Sequence, residues 1–397
     1  MLLKRRDFLK ISSLATASLM VPNFLKAMSY DNAIGINKEN KILVVLQFSG
    51  GNDGLNTIIP MRNDIYFKER QTIAVKNALN LTDEVGINPA LSFFKELYDN
   101  GEMAVLNNVG YPNPDKSHFR SMDIWQSASD SKEFLQTGWV GRYLDEACYN
   151  CDHPTQAIEV NDMLSLAMKG KNKKAFAFKD PKKMYETSRE KYFKTLVDHH
   201  DHSSETVDYL YQTLGSTINN AGYIFDKSKS KESSEDYPNS ALGKDFKTVA
   251  SLIKSDINTK VYYLQVGSFD THVDQNKRQE KLFSDINDAV KSFVADLKKN
   301  GLFDNVLLMT FSEFGRRVSQ NASNGTDHGT ANQMFFLSGG LKKKGVLNAL
   351  PDLQNLNDGD LIYTEDFRKV YATVLKNWLG ADSTKILGWK NGVYDFV

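Results

Sequence analysis

Lys41-Ile-Leu-Val-Val-Leu-Gln-Phe48, followed at once by Ser49-Gly50-Gly51-Asn52-Asp53-Gly54, reads as a buried strand that stops in a tight glycine loop. A strand with one wet face alternates apolar and polar side chains; this run does not, so both of its faces are covered, as in a parallel sheet. The plan recurs at Met103-Ala-Val-Leu106, Val261-Tyr-Tyr-Leu-Gln-Val266, Val306-Leu-Leu-Met-Thr-Phe311 and Met334-Phe-Phe-Leu337, each short, apolar and bounded by Gly, Asn or Ser. Helical periods lie between these runs. From Phe283, the positions Ile286, Val290, Phe293, Val294 and Leu297 share one face, and Asn300-Gly301 supplies the stop. Phe367, Val370, Tyr371, Val374, Leu375, Trp378 and Leu379 form a second such face, with Thr364 as the expected N-cap, Glu365 and Asp366 in the first turn and Gly380 at the end. Strand alternating with helix predicts an α/β fold: a mostly parallel central sheet with helices on both faces.

The composition is ordinary for a globular chain: 397 residues, 41% hydrophobic, with 49 basic and 49 acidic side chains and two cysteines. That excludes wholesale disorder, a collagen-like rod and a disulfide-stapled mini-domain. The charge is uneven. Residues 1–27 carry Lys4, Arg5, Arg6, Lys10 and Lys26 against Asp7 alone, so the remainder is mildly acidic and lacks the basic stripe that nucleic acid requires. Arg5-Arg6-Asp7-Phe8-Leu9-Lys10 ahead of the weakly apolar stretch Ile11 to Leu25 reads as a twin-arginine export signal over residues 1–30. The expected partner of that segment is the twin-arginine export machinery, and the expected location of the mature chain is the periplasm or another exported site. No later segment reaches the run of about 18 apolar residues that a spanning helix needs, so no stable membrane span is expected after cleavage. Residues 31–397 read as one α/β domain with a helical and loop insertion around 150–240, where lysine runs, His199-His200-Asp201-His202 and the polar segment Lys227–Asp236 break the rhythm. Cys148 and Cys151 lack the setting of a thioredoxin-like redox pair, and an oxidising compartment makes a local disulfide the simpler reading.

Chemistry-bearing residues gather after the C-terminal ends of the expected strands, where open α/β sheets place ligands. The groups are Asn52-Asp53, Ser117-His118, Phe269-Asp270-Thr271-His272, Ser312-Glu313-Phe314-Gly315 and Thr326-Asp327-His328-Gly329. Converging Asp, Glu and His suit a hard or borderline divalent cation, and a hydroxyl beside such an ion becomes a nucleophile more readily.

Gly50-Gly-Asn-Asp-Gly-Leu-Asn56, Ser117-His-Phe119, Gly267-Ser-Phe-Asp-Thr-His272, Thr310-Phe-Ser-Glu-Phe-Gly-Arg316, Gly325-Thr-Asp-His-Gly-Thr330 and Asp366-Phe-Arg-Lys-Val-Tyr371, in that order, resemble the exported bacterial domain-of-unknown-function 1501 family. That family is grouped with the alkaline phosphatase and sulfatase superfamily. The resemblance implies an alkaline phosphatase-like domain over residues 31–397 and one or two divalent ions (Zn, Mn or Ca) on the rim of the sheet. It further implies metal ligands Asp53, Asp270, His272, Glu313, Asp327 and His328, with Ser117 as nucleophile and Ser121 as the alternative. Arg316, or else Arg120 or Arg317, would steady the oxyanion. The chain departs from the superfamily pattern at Phe314, which cannot ligate a cation, so Asn52 or His118 would have to help complete a second metal. The implied activity is hydrolysis of a small-molecule phosphate or sulfate ester through a seryl nucleophile; the alternative is a non-catalytic binding or assembly protein on a degenerate scaffold.

Overall fold

The computed structural model describes residues 40–147, 154–173, 175–191 and 205–397. The export-signal segment, Cys148, Cys151 and the histidine patch at 199–202 lie outside the described residues. The principal elements are β1 (Ile42–Phe48), α1 (Ser92–Asp99), β2 (Met103–Gly110), α2 (His118–Ser127), α3 (Trp139–Ala147), β3 (Ala157–Glu159), β4 (Phe176–Ala177), α4 (Ala241–Lys254) and β5 (Val261–Val266). They continue with α5 (Gln275–Lys299), β6 (Val306–Ser312), β7 (Asn332–Leu337), β8 (Gly345–Val346), β9 (Glu365–Asp366) and α6 (Phe367–Thr373).

Among the described residues the main sheet runs β8-β2-β7-β6-β1-β5-β3-β4, with β9 beside the end of β2. The pairs β1–β5, β1–β6, β3–β5, β3–β4, β8–β2 and β9–β2 are parallel. Only β7 runs against its neighbours β2 and β6. The sheet is therefore mixed and mostly parallel, and the fold is α/β.

Every residue of β1 is buried, and alternate side chains serve two different cores. Val44, Leu46 and Phe48 join the cluster formed with Phe94 of α1, Phe246 and Val249 of α4, and Phe283, Ile286 and Phe293 of α5. Leu43 and Val45 join the opposite cluster, with Trp125 of α2, Trp139 of α3, and Phe367 and Tyr371 of α6. Helices on both faces are thus the physical reason that the strand shows no alternation. At about 25 cal/mol per Å² of apolar surface, burial on both sides lets every apolar side chain of this central strand contribute to stability.

Two expectations need adjustment. Thr364 does not cap α6: Asp366 is the N-cap and accepts from the Arg368 N–H at 2.9 Å, while Glu365 and Asp366 pair with β2. The segment read as an insertion also supplies part of the sheet, because β3 and β4 extend it beyond β5. No helix among the described residues is long and apolar enough to cross a membrane.

Candidate metal centre

Four loops leave one edge of the sheet. The last residues of β1, β5 and β6, namely Phe48, Val266 and Ser312, lie side by side in parallel register, and β2 runs in the same direction. The turn after β1 fits closely on the loop after β5: Gly50 has φ +118°, and a Cβ there would approach the Asp270 backbone nitrogen to 2.4 Å. Phe269 N–H donates to the Ser49 carbonyl at 3.2 Å across the same contact. Arg316, 1% exposed, fastens the loop after β6 to both others. Its Nε donates to the Gly51 carbonyl at 2.6 Å and its Nη1 to the Thr326 carbonyl at 2.9 Å. Its Nη2 reaches the carbonyls of Gly50 and Phe269 and, at 2.7 Å, Asp270 Oδ1.

Three imidazoles surround Asp270, and each has its Nδ1 held from behind. His118 Nδ1 lies 2.8 Å from Glu313 Oε1, an oxygen that also accepts from the Gly50 N–H. His272 Nδ1 lies 3.0 Å from Asp327 Oδ1, which also accepts from Asn321 Nδ2. His328 Nδ1 lies 2.8 Å from the Lys116 carbonyl. All three partners are acceptors, so Nδ1 donates in each case and every Nε2 of a neutral ring turns a lone pair inward. His272 Nε2 and His328 Nε2 are 3.0 Å apart, and they stand 3.0 and 3.3 Å from Asp270 Oδ1. His118 Nε2 is buried without a hydrogen-bond partner, 3.6 Å from Asp270 Oδ2. Two nitrogen lone pairs at 3.0 Å repel unless a positive charge, a proton or a cation, lies between them.

His118, Asp270 and His328 each present a ligand atom within 4.8 Å of the others. Imidazole nitrogens with one carboxylate suit Zn²⁺ or a similar borderline cation, and Nδ1 held by a carboxylate or carbonyl is the outer hydrogen bond that orients a metal-binding histidine. The donor set fits a divalent ion. Desolvation works to raise the Asp270 pKa, but the hydrogen bond and charge of Arg316, with His328 and His272, outweigh it and hold the carboxyl at about 2. Asp327 is also held low, by Asn321 and then His272. Burial pulls His328 below the ordinary histidine value, whereas the Glu313 hydrogen bond raises His118 against desolvation.

The residues named from sequence divide into three groups. Asp270, His272 and His328 meet. Glu313 and Asp327 stand behind histidines as Nδ1 acceptors rather than facing the central point, and Glu313 is fully buried. Asp53 is elsewhere: its Oδ1 caps the turn at Leu55 and Asn56, and its Oδ2 takes Arg70 Nη1 at 2.5 Å together with Gln275. The Asn52 amide is occupied by Thr57 and Gln279. Ser117 is the exposed N-cap of α2, without a side-chain capping bond. Ser121 is fully buried and bonded to Tyr111 and the Asp115 carbonyl. Arg316 donates to four backbone carbonyls and to Asp270. Arg120 donates to the carbonyls of Asp130, Ser131 and Glu133, and Arg317 faces Asp358 and Asp360. His118 enters the cluster directly, and its sequence signal was the Ser117-His118 pair following the strand that begins at Met103. The Phe314 ring closes the floor, 4.8 Å from His118 and 4.7 Å from His328.

Fold and site together define an α/β protein that carries a histidine–carboxylate cluster on the rim of its sheet. The family model described as a protein of unknown function (DUF1501) matches residues 126–392, and the chain belongs to that family. The comparison with curated proteins finds no match. Solved structures similar to the chain include PsFucS1 sulfatase from Pseudoalteromonas sp., with TM-score 0.40 and 12% identity over 99% of this chain and 78% of that one. A protein in the alkaline phosphatase superfamily from Vibrio parahaemolyticus gives TM-score 0.39 and 12% identity over 99% of this chain and 78% of that one. The C-terminal periplasmic domain of EcEptC from Escherichia coli gives 0.37 and 11% over 90% of this chain and 93% of that one. Likenesses this distant carry no conclusion about activity, ligand or location.

Proposed function

We propose that the chain is an exported, metal-dependent hydrolase of a phosphate or sulfate ester. The observation that carries this reading is the convergence of three imidazole Nε2 atoms on Asp270 with every Nδ1 already held, a donor set prepared for a cation. A divalent ion bound there supplies Lewis acidity and eases deprotonation of an adjacent hydroxyl. His118, Asp270 and His328 would hold the ion, with His272 beside them; Glu313, Asp327 and the Lys116 carbonyl fix the ring orientations; Arg316 holds the Asp270 carboxylate in register with the glycine turn. Ser117, next to His118 in sequence and without a capping bond, is the hydroxyl nucleophile: its proton passes to solvent as its oxygen bonds to phosphorus or sulfur, the ester oxygen leaves and takes up a proton as the free alcohol, and water then hydrolyses the seryl ester to free serine and inorganic phosphate or sulfate.

The second reading, a non-catalytic binding or assembly protein, is favoured by one observation. Asp53 is committed to Arg70 and Phe314 offers no donor, so the described residues provide for one ion rather than two. Elemental analysis of the purified chain separates the readings. We expect about one Zn, Mn or Ca per chain and turnover of an aryl phosphate or sulfate, with Asp270→Ala and His328→Ala losing both. Bound metal without turnover of either ester selects the second reading. No metal under replete conditions, and no effect of those substitutions, overturns the hydrolase.

A further inference from the structure

Asp360 is 2% exposed, and its Oδ1 is buried without a hydrogen-bond partner. Burying a carboxylate is costly unless its charge is paired. The residue belongs to a hairpin formed by Leu356–Asn357 and Asp360–Leu361. That hairpin is anchored: Leu361 is buried in a cluster with Leu55, Ile59, Tyr66 and Val318, and the Leu361 carbonyl accepts from Thr330 Oγ1 at 2.5 Å. The carboxylate lies between cations from two other loops. Asp360 Oδ2 pairs with Lys116 Nζ, and Arg317 Nε stands 3.6 Å from Oδ1.

Both cations belong to residues whose backbone supports the histidine cluster. The Lys116 carbonyl is the group that takes His328 Nδ1 at 2.8 Å. The Arg317 N–H donates at 3.0 Å to the carbonyl of Asp327, whose carboxylate takes His272 Nδ1. Within the loop before α2, Asp115 Oδ1 accepts from the Ser117 N–H at 2.7 Å, which sets the plane of the Lys116–Ser117 peptide. That bond cannot set the distance from the Lys116 carbonyl to His328, because Asp115 travels with the same loop. The pair with Asp360 can: it fastens Lys116 to an element that is itself bonded to Thr330, two residues beyond His328. An ion pair with a hydrogen bond inside it is also stronger than a neutral contact.

We propose that Asp360 is a positioning residue: through Lys116 it holds the His328 ring with Nδ1 protonated and Nε2 turned towards Asp270. That a ring so held receives a cation rests on the metal reading above; the orientation itself does not. The first measurement is therefore made on the metal-free chain, from the nitrogen-15 shifts of the His328 ring at pH 8. The wild type shows the Nδ1–H form. Asp360→Asn, close in size but uncharged, and Lys116→Met, at a side chain 37% exposed, each turn it into a mixture with the Nε2–H form. In a chelator competition the Zn²⁺ affinity of each variant falls about tenfold, the lower end of the loss usual for groups that orient a metal ligand, and the double substitution loses no more than either single one. Lys116→Arg, which keeps the cation, leaves tautomer and affinity as in the wild type. Asp358→Asn, which removes the 88% exposed partner of Arg317 on the same hairpin, changes neither. An unchanged tautomer and affinity in both Asp360→Asn and Lys116→Met overturn the proposal. A wild type that binds no Zn²⁺ overturns the metal reading instead, and the tautomer alone then decides for or against Asp360.

Discussion

Asp53 and Arg70 are at most 1% exposed, and each meets the other's charge in a place water does not reach. Arg70 also donates to Asn56 and to the carbonyls of Arg317 and Val318, so the pair ties the turn after β1 to the loop after β6. Removing one partner of such a pair leaves an uncompensated buried charge, at a cost of about 3–5 kcal/mol. Asp53→Ala is therefore expected to lower the unfolding free energy by that amount in urea titrations, while the folded fraction keeps its metal count. Loss of the metal at unchanged stability would return Asp53 to the ligand set. An aspartate after a buried strand was legible in the sequence; its partner, 17 residues on, was not, because no local pattern marks where a buried guanidinium ends. Arg316 teaches the same lesson. The resemblance offered it, beside Arg120 and Arg317, as a hand for an oxyanion; in the fold four backbone carbonyls and Asp270 accept from it, an allocation that only the folded loops reveal.

The turn at Gly50 is the element on which the site's geometry hangs. An added methyl would meet the backbone of Asp270 and Phe269 at 2.4 and 2.9 Å, and backbone cannot step aside as the tip of a side chain can. Gly50→Ala should push the β5 loop outward, carrying Asp270 with it, and weaken metal binding at least tenfold in a chelator competition. Gly267→Ala, where a methyl meets nothing within 4 Å, is the control and should bind as the wild type does. Equal affinities would remove the turn from the account. At this scale the sequence was most readable. The long apolar runs became β1, β2, β5, β6 and β7, and the helical face from Phe283 became part of α5, because length and period are properties of the local chain. What stayed hidden was short or irregular. β3 and β4 have three and two residues, too few to show a period, and after α6 the chain runs on as a π-helical turn, Val374–Trp378.

Across the whole molecule, one face of the sheet carries a buried acid that the candidate site does not use. Glu159 ends β3, is 1% exposed and has an Oε1 atom without a hydrogen-bond partner; its Oε2 accepts from the Ser165 N–H at 2.8 Å. Desolvation pushes its pKa up to about 7, with Ser165, Asn161 and Lys169 opposing too weakly to cancel it. The sign of the consequence follows from linkage. Between the ordinary value of 4.5 and about 7 the folded chain keeps a proton that the unfolded chain has released, so stability falls as pH rises through that window and levels off above it. Glu159→Gln mimics the protonated acid at every pH. Denaturation midpoints should then match the wild type near pH 4 and exceed it at pH 8 by about 1–3 kcal/mol in unfolding free energy, since every tenfold difference in proton affinity between the folded and unfolded chain is worth about 1.4 kcal/mol. A difference of the same size at both pH values would mean that Gln repacks the site instead of removing a charge. The opposite sign at pH 8 would mean that the carboxylate is the favoured form, and that the polar groups around the end of β3 support an anion.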